Sequence, residues 1–301
     1  MADLRTVARK VKRRVVGKPK AAAEVWLPRG KVLTRPIIPN FGDDLNDCLF
    51  EQVFGVKFEF STDWKKADYV AIGSALNNYL DASRGDKFRK RVSVLGMGFI
   101  KEPTPPLHFW RDFDFKIVRG ELTRSILREN GFDVAATKLG DLALLSSYWI
   151  KPPKKQHKLG VIAHLDDMAS PIMWELYQRH RGEAIYINVK DRPEVVLPQI
   201  AACEMVASTS LHGLIVADCY HVPNIWLENR YKRVSKPVFK YHDYYSAFGL
   251  TAEPIQAIDF LEQHSIDEIP SLNRVTPEAV ESLKADLHPY LTEFFKSEGL
   301  A

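Results

Sequence analysis

A histidine at the junction of an apolar run and a helical pattern is the first candidate for chemistry in this chain. The run ends at Ser208-Thr209-Ser210, presents His212 and Gly213, and resumes with helical spacing through Asp218. Such a turn places backbone N–H groups, the positive end of a helix dipole and an imidazole at the carboxyl edge of a parallel sheet. The pattern predicts that His212 contacts an anionic ligand, with a structural role at the helix start as the alternative.

Two more turns place polar side chains after or before apolar segments. Asn40-Phe41-Gly42-Asp43-Asp44 precedes an apolar-periodic segment near the start of the chain, so each half carries a candidate ligand turn. His164 ends a second apolar run and is followed by Asp166 and Asp167. Asp167 can cap the next helix, whereas Asp166 can orient an imidazole or accept a proton from a hydroxyl group.

Arg119 ends the predicted strand Phe115–Val118. A guanidinium group at that place needs an anion, because an unpaired buried charge is costly. Two kinds of partner are open. One is an ion pair with Glu121 or Asp141, and the other is a ligand phosphate or carboxylate, which fits the guanidinium fork.

Several common catalytic motifs are absent. The turns at Gly73-Ser74-Ala75-Leu76-Asn77 and Gly96-Met97-Gly98 permit close backbone approach, but neither matches the dinucleotide-binding pattern Gly-x-Gly-x-x-Gly. There is no phosphate-binding loop of ATPases, no Gly-x-Ser-x-Gly elbow and no His-Glu-x-x-His helix. Dehydrogenase, ATPase, esterase and zinc-protease functions are therefore not supported. The histidines and aspartates also lack metal-ligand spacing, so no metal site is predicted.

The charge of the chain is concentrated at its start. The first twenty residues contain eight of the 42 basic residues and one of the 38 acidic ones, which leaves 34 basic and 37 acidic residues in the remainder. We therefore expect no nucleic-acid binding by the globular part. Residues 1–24 form a basic arm, which is either a surface helix meeting anionic lipid at the inner face of the membrane or a solvated leader.

Length and composition indicate a cytoplasmic protein of about two domains. With 301 residues, 46% of them hydrophobic, the chain can bury a full core. No apolar run approaches the ~18 residues of a membrane span, and the basic start does not resemble a secretory signal. The three cysteines are odd in number and lie in apolar contexts, which favours buried thiols over disulfides or zinc ligands.

Strand-like runs alternate with helical stretches along most of the chain, which predicts parallel sheets covered by helices. The proline- and lysine-rich stretch 150–158 marks a linker. We therefore divide the chain into the basic arm, an α/β domain over 25–150 and a second α/β domain over 151–301, whose last helix covers about 277–295. Facing sheets would place their turns around a shared cleft.

Taken in order, the turns resemble the polysaccharide pyruvyl transferase family over about residues 37–249. The resemblance rests on five motifs: Asn40-Phe41-Gly42-Asp43-Asp44-Leu45-Asn46; Ile72-Gly73-Ser74; Val118-Arg119-Gly120-x-x-Thr123 with Gly140-Asp141; His164-x-x-Asp167; and Ser208-x-Ser-Leu-His212-Gly213-x-x-x-Ala217. It implies two Rossmann-like domains facing a cleft, as in GT-B glycosyltransferases. It also implies a transferase that joins pyruvate from phosphoenolpyruvate to two sugar hydroxyls as a cyclic ketal.

The acceptor implied by the resemblance is a sugar of a cell-surface or exopolysaccharide precursor. Phosphoenolpyruvate is a co-substrate, and no cofactor is expected. A lipid-linked acceptor would give the basic arm a purpose. Ser210 stands where some family members have arginine, and Lys240 is expected to compensate for that missing cation. Ala75 likewise replaces an expected glycine after Gly73-Ser74.

The resemblance also suggests roles for individual residues. His212 is assigned as the acid or phosphate stabiliser, and Asp166 or Asp43 as the base for the sugar hydroxyl. The donor site is assigned to Arg119, Ser210, Leu211, Gly213, His164 and Lys240. The acceptor site is assigned to Asn40, Asp44, Ser74 and Asn77.

Two other functions remain open at this stage. The same two-domain cleft serves glycosyltransferases that use a nucleotide sugar, and fold alone does not choose between these chemistries. A noncatalytic carbohydrate-binding or assembly protein is the second alternative, because Ser210 removes one expected cation.

Overall fold

The computed structural model describes residues 32–34, 39–61, 67–80, 88–109, 111–229 and 237–301. The described strands are β1 (Val32–Thr34), β2 (Glu59–Ser61), β3 (Tyr69–Val70), β4 (Phe88–Met97), β5 (Arg111–Val118), β6 (Lys138–Leu139), β7 (His157–Ile162), β8 (Ala184–Ile187), β9 (Cys203–Ser208), β10 (Asn224–Glu228) and β11 (Ile255–Gln256). The described α-helices are α1 (Phe41–Phe54), α2 (Glu121–Glu129), α3 (Ser146–Trp149), α4 (Pro171–Arg179), α5 (Pro193–Ala201), α6 (Leu211–Cys219), α7 (Phe239–Ser246), α8 (Ala257–Gln263), α9 (Ile269–Leu272) and α10 (Pro277–Ser297).

The strands form two sheets. The first has six strands in the order β2-β1-β3-β4-β5-β6, and the second has five in the order β11-β10-β9-β7-β8. Neighbouring strands of both sheets pair in parallel. Parallel sheets need crossover connections, which the helices supply. The prediction of an α/β fold with parallel sheets is therefore confirmed.

Both sheets follow one doubly wound plan. Each reverses its winding direction once, between β1 and β3 in the first sheet and between β7 and β9 in the second. Open α/β sheets bind ligands outside the carboxyl ends of the strands at such a switch point. The turns that follow these four strands carry Asn40, Gly73, His164 and His212. The topology thus brings turns predicted from distant parts of the sequence to equivalent places in the two sheets.

Helix α6 lies at the centre of the molecule. All nine of its residues are buried. It packs against the turn 142–145, which follows β6, and a continuous apolar core joins these elements to α1, α5 and α10. The last helix also reaches the first sheet, because Phe294 packs edge-on to Tyr69 of β3, with 6.2 Å between ring centroids. Tyr69 Oη donates a hydrogen bond to Glu298 at 2.9 Å.

The sequence located most of these elements but misjudged their ends. Helix α6 begins at Leu211, where helical spacing was predicted to resume, whereas β5 begins at Arg111, four residues before the predicted start at Phe115. The short strands β1, β6 and β11 were missed, because two or three residues carry too little periodicity. The basic arm over residues 1–24 lies outside the described residues, and the division at residue 150 stays a prediction. Among the described helices, none combines the length and apolar character needed to cross a bilayer.

Candidate functional site

His212 stands in the first turn of α6 and packs against the start of α1. It is 7% exposed. A Cβ atom on Gly42 would lie 1.9 Å from His212 Nδ1 and 2.1 Å from its Cγ, so the glycine leaves the space that the imidazole fills. The ring also meets Phe41 edge-on, with 6.3 Å between centroids. The two turns predicted as separate ligand sites are therefore in direct contact.

Burial and, to a smaller extent, the nearby Lys240, Arg119 and His164 lower the pKa of His212 from 6.5 to about 3. The imidazole is therefore neutral at physiological pH. Its Nε2 atom is buried and has no hydrogen-bond partner among the described residues. A buried polar atom without a partner is costly. Nε2 is thus a group that a bound ligand could satisfy.

Lys240 and His164 contact each other near His212. The Lys240 ammonium group, carried by the first turn of α7, lies 3.3 Å from His164 Nε2 and 5.1 Å from the centroid of the Tyr241 ring. His164 Nδ1 lies 3.3 Å from a carboxylate oxygen of Asp166, whose side chain is 68% exposed. The structure therefore brings together three donor-site or catalytic candidates that span 76 residues of sequence.

Arg119 is fully buried, and all three of its guanidinium nitrogens contact acceptors of the chain itself. Nε donates to Asp243 Oδ2 at 2.9 Å, and Nη2 lies 2.8 Å from the same oxygen. Nη2 also donates to Phe99 O at 2.6 Å, and Nη1 donates to Ser74 Oγ. The expected ion-pair partners, Glu121 and Asp141, were wrong: the partner is Asp243. Direct contact of Arg119 with a ligand stays a prediction, and it would require one of these acceptors to move.

Asp243 also caps helix α2. That helix begins after Gly120, which has no side chain to cap it. The carboxylate of Asp243 accepts hydrogen bonds from Thr123 N at 2.7 Å and from Thr123 Oγ1 at 2.8 Å. Ser246 Oγ accepts from Leu122 N at 3.1 Å. The positive end of α2 is thus satisfied by α7, which the sequence alone did not indicate.

The turn before α1 is built around Asn40 and Asp43. Asn40 caps the helix and donates from Nδ2 to Asp43 Oδ2 at 3.1 Å. A Cβ atom on Gly73 would lie 3.2 Å from Asp43 Oδ1, so this carboxylate faces the turn after β3. Asn46 ties the helix to that turn through Ile72 N at 3.0 Å and Ile72 O at 2.9 Å. Asp43 therefore lies where the turns after two strands meet, and its role as a base stays a prediction.

Other predicted site residues have structural partners in this state. Asn77 Oδ1 accepts from Ile100 N at 2.7 Å, and Nδ2 donates to Lys101 O at 3.0 Å. Ser210 N donates to Ser208 Oγ at 2.9 Å. A Cβ atom on Gly213 would lie 2.5 Å from Ser208 Oγ, so this glycine permits close packing of α6.

The remaining predicted residues lie at the starts of two helices. Leu211 is buried at the first position of α6, and Asp44 lies half-buried in the first turn of α1. Both positions adjoin the His212 and Gly42 contact, so they lie beside the candidate site.

A buried carboxyl group near the site was not assigned a functional role from the sequence. Asp141 is fully buried, and its Oδ1 accepts from Ala143 N at 3.0 Å. Burial raises its pKa to about 6, while Arg119 opposes that shift and the carboxylates of Asp243 and Asp43 add to it. In the sequence it stood out only as a possible ion-pair partner of Arg119 and as part of the Gly140-Asp141 motif. Within the described ranges, no group of three or more histidine, cysteine or acidic side chains is arranged to hold a metal ion.

Comparison with known proteins places this site in context. The family model for polysaccharide pyruvyl transferase matches residues 35–231. The succinoglycan biosynthesis protein ExoV of Rhizobium meliloti is 26% identical over 218 residues, which are 71% of this chain and 63% of that protein. The uncharacterised protein L143 of Acanthamoeba polyphaga mimivirus is 29% identical over 168 residues, which are 54% of this chain and 56% of that protein.

The chain thus spans 56 to 63% of the length of these relatives. A crystal structure of a functionally uncharacterised Klebsiella pneumoniae protein is 10% identical, with a TM-score of 0.40 over 72% of this chain and 87% of the other, which is too remote to inform fold or function. The family match includes the turns that carry Arg119, His164 and His212. Because it covers more than half of the 301 residues, the chain belongs to the polysaccharide pyruvyl transferase family.

Proposed function

We propose that this protein transfers the pyruvyl group of phosphoenolpyruvate to a saccharide, where two hydroxyl groups become joined to one carbon as a cyclic ketal. Family membership supports pyruvyl transfer, and the name of the Rhizobium meliloti relative supports an exopolysaccharide precursor as acceptor. The observation that carries the donor assignment is the buried Nε2 of His212, which has no hydrogen-bond partner among the described residues and lies near Lys240 and His164.

Phosphoenolpyruvate carries a phosphate and a carboxylate, so its binding site needs two sets of donors. Lys240 with His164 supplies one set. The other is the start of α6, where backbone N–H groups and the helix dipole favour an anion and His212 Nε2 can donate a hydrogen bond. In this proposal the site lies in a cleft between two facing domains of GT-B type. The contacts of His212 with Gly42 and of Arg119 with Asp243, which join turns of the two sheets, support that arrangement.

The reaction needs a proton on the vinyl carbon of phosphoenolpyruvate and loss of a proton from each attacking hydroxyl. The first hydroxyl adds to the protonated donor, phosphate leaves, and the second hydroxyl closes the ketal ring. Neutral His212 first acts as a phosphate stabiliser. The negative charges of the donor would raise its pKa from about 3, so that it can become the acid. Asp43 or Asp166 receives the hydroxyl protons.

Thermal unfolding with added donors tests this proposal. Phosphoenolpyruvate at 100 times its Kd should stabilise the protein by about 2.7 kcal/mol, whereas nucleotide sugars should not. His212→Ala should bind the donor weakly. In an assay with an identified saccharide acceptor, it should lower turnover by ~10²- to 10⁴-fold. His180→Ala is a suitable control, because His180 lies between the end of α4 and the start of β8. It is therefore near the amino end of a strand, whereas the candidate site is at the carboxyl ends of the strands. Stabilisation by a nucleotide sugar instead would favour a glycosyltransferase, and normal turnover of His212→Ala would refute its role.

A further inference from the structure

Helix α7 contacts turns that belong to both sheets. Successive residues of an α-helix are rotated by about 100°. On that basis Asp243 and Ser246 lie on one side of α7, Tyr241, Tyr244 and Tyr245 lie on the other, and Lys240 lies between them. Lys240, whose ammonium group faces His164, therefore lies at the boundary between the two sides of α7.

The tyrosine side of α7 is attached to the second sheet. Tyr241 Oη donates to Thr209 O at 2.7 Å, and its ring stacks on Trp226 with 4.4 Å between centroids. Tyr244 Oη donates to Asp218 at 2.7 Å. One of these partners, Thr209, lies in the turn before α6, three residues before His212.

The acidic side of α7 is attached to the first sheet through Asp243. This carboxylate is fully buried and contacts Arg119 at 2.9 Å and Thr123 at 2.7 and 2.8 Å. The packing there is close: a Cβ atom on Gly120 would lie 1.6 Å from Asp243 O, and one on Gly98 would lie 2.6 Å from Asp243 Oδ2. Asp243 thus supplies the anion that Arg119 needs, a role that the sequence left open between an acidic side chain and a ligand.

We propose that Asp243 is a positioning residue for the donor site, because it anchors α7 to Arg119 and Thr123 and so holds Lys240 against His164. In this arrangement Arg119 does not contact the donor. It affects donor binding only through Asp243. The inference rests on the proposed function for the identity of the donor. It departs from the expectation that Arg119 itself clamps the phosphate or carboxylate.

The main variant is Asp243→Asn, which keeps the shape but places an amide N–H beside the guanidinium group. Because that change leaves Arg119 buried without its counter-charge, a milder variant, Thr123→Val, accompanies it. Thr123→Val removes one hydroxyl hydrogen bond to Asp243. Thr137→Val is its matched control: Thr137 is also buried and loses one hydroxyl hydrogen bond, but that bond goes to Phe115 O at 2.6 Å and not to a residue of α7.

The first measurement is the Kd of phosphoenolpyruvate by calorimetry on the full chain. Loss of one charge-assisted hydrogen bond from Lys240 corresponds to a Kd about 10- to 100-fold higher. We expect that loss in Asp243→Asn, a smaller loss in Thr123→Val and none in Thr137→Val. In a Lys240→Met background, Asp243→Asn should add nothing further. Any of three results would overturn the inference. The first is an additive loss of affinity when Asp243→Asn is combined with Lys240→Met, and the second is an unchanged affinity in both Asp243→Asn and Thr123→Val. The third is a donor complex in which phosphoenolpyruvate contacts the Arg119 guanidinium group.

The second measurement does not need the donor. The rate at which acetic anhydride acylates Lys240, followed by mass spectrometry, reports whether the ammonium group is held against His164. It should rise severalfold in Asp243→Asn and Thr123→Val and stay at the wild-type rate in Thr137→Val. If wild-type protein does not bind phosphoenolpyruvate, the proposed function fails, and an unchanged acylation rate would refute the positioning role separately.

Discussion

The contact between Gly42 and His212 allows the site to be perturbed without removing a polar group. In Gly42→Ala the added methyl carbon would lie 1.9 Å from Nδ1, 2.1 Å from Cγ and 2.6 Å from Cβ of His212. All three distances are far inside ordinary contact, and the obstacle is the ring itself. Neither helix can yield easily, because Phe41 N donates to Val189 O at 2.9 Å and every residue of α6 is buried.

Ordinarily, replacing glycine by alanine within a helix stabilises a protein by about 0.5–1 kcal/mol. Here we expect the opposite sign, because overpacking a filled site costs about 1–3 kcal/mol. For a chain of this size each kcal/mol corresponds to a Tm change of about 2–4 °C. Because the imidazole must turn away from α1, donor binding should weaken as well.

Urea unfolding and the Tm shift with phosphoenolpyruvate measure both effects. Gly182→Ala is the control, because a Cβ atom there has nothing within 4 Å, so it should leave stability and donor binding unchanged. The double variant Gly42→Ala/His212→Ala should lose less stability than the two single variants lose in sum. We expect the difference, which is the coupling energy of the two sites, to be about 0.5–3 kcal/mol. A Gly42→Ala protein that is more stable than wild type and binds the donor normally would refute the packing geometry on which the site rests.

Two further predictions concern buried ionisable groups. Burial raises the pKa of Asp218 from 3.8 to about 7, so between these values the folded state holds a proton that the unfolded state has released. Stability should therefore fall as pH rises from about 4 to 7, by at most about 1.4 kcal/mol per pH unit, and urea unfolding of Asp218→Asn should show a shallower fall. Burial also raises the pKa of Cys48 and of Cys203 to about 12 and raises that of Cys219. Since the thiolate is the reactive form, iodoacetamide at pH 8 should label native protein far more slowly than protein in urea; equal rates would contradict this burial.

Local signals located the starts of α1 and α6 correctly. The small polar residues before Leu211 and the helical spacing after it predicted that α6 begins there, and the structure agrees. Asn40 was placed at the start of a helix for the same reason, since its side chain caps the first turn of α1. These features depend on backbone propensities within a few residues, so they can be inferred without tertiary contacts.

Pairings between distant residues could not be inferred in this way. The sequence suggested Glu121 as a neighbour for Arg119, but Glu121 instead pairs with Arg124 and Arg128 on its own helix. Asp243 lies 124 residues from Arg119, and no spacing rule connects them. Sequence reasoning singled out Lys240, three residues before Asp243, without indicating what Asp243 contacts.

The sequence by itself determined the alternation of strands and helices, the chemistry available at each turn and the family resemblance, because periodicity, caps and motifs are short-range properties. Tertiary structure decided which turns meet. It placed His212 against Gly42, brought Lys240 to His164, and filled the anion position at Arg119 with Asp243. The physical reason is that a charge at a strand end accepts any suitable counter-charge, and only the packing of the two sheets and of α7 determines which one is within reach.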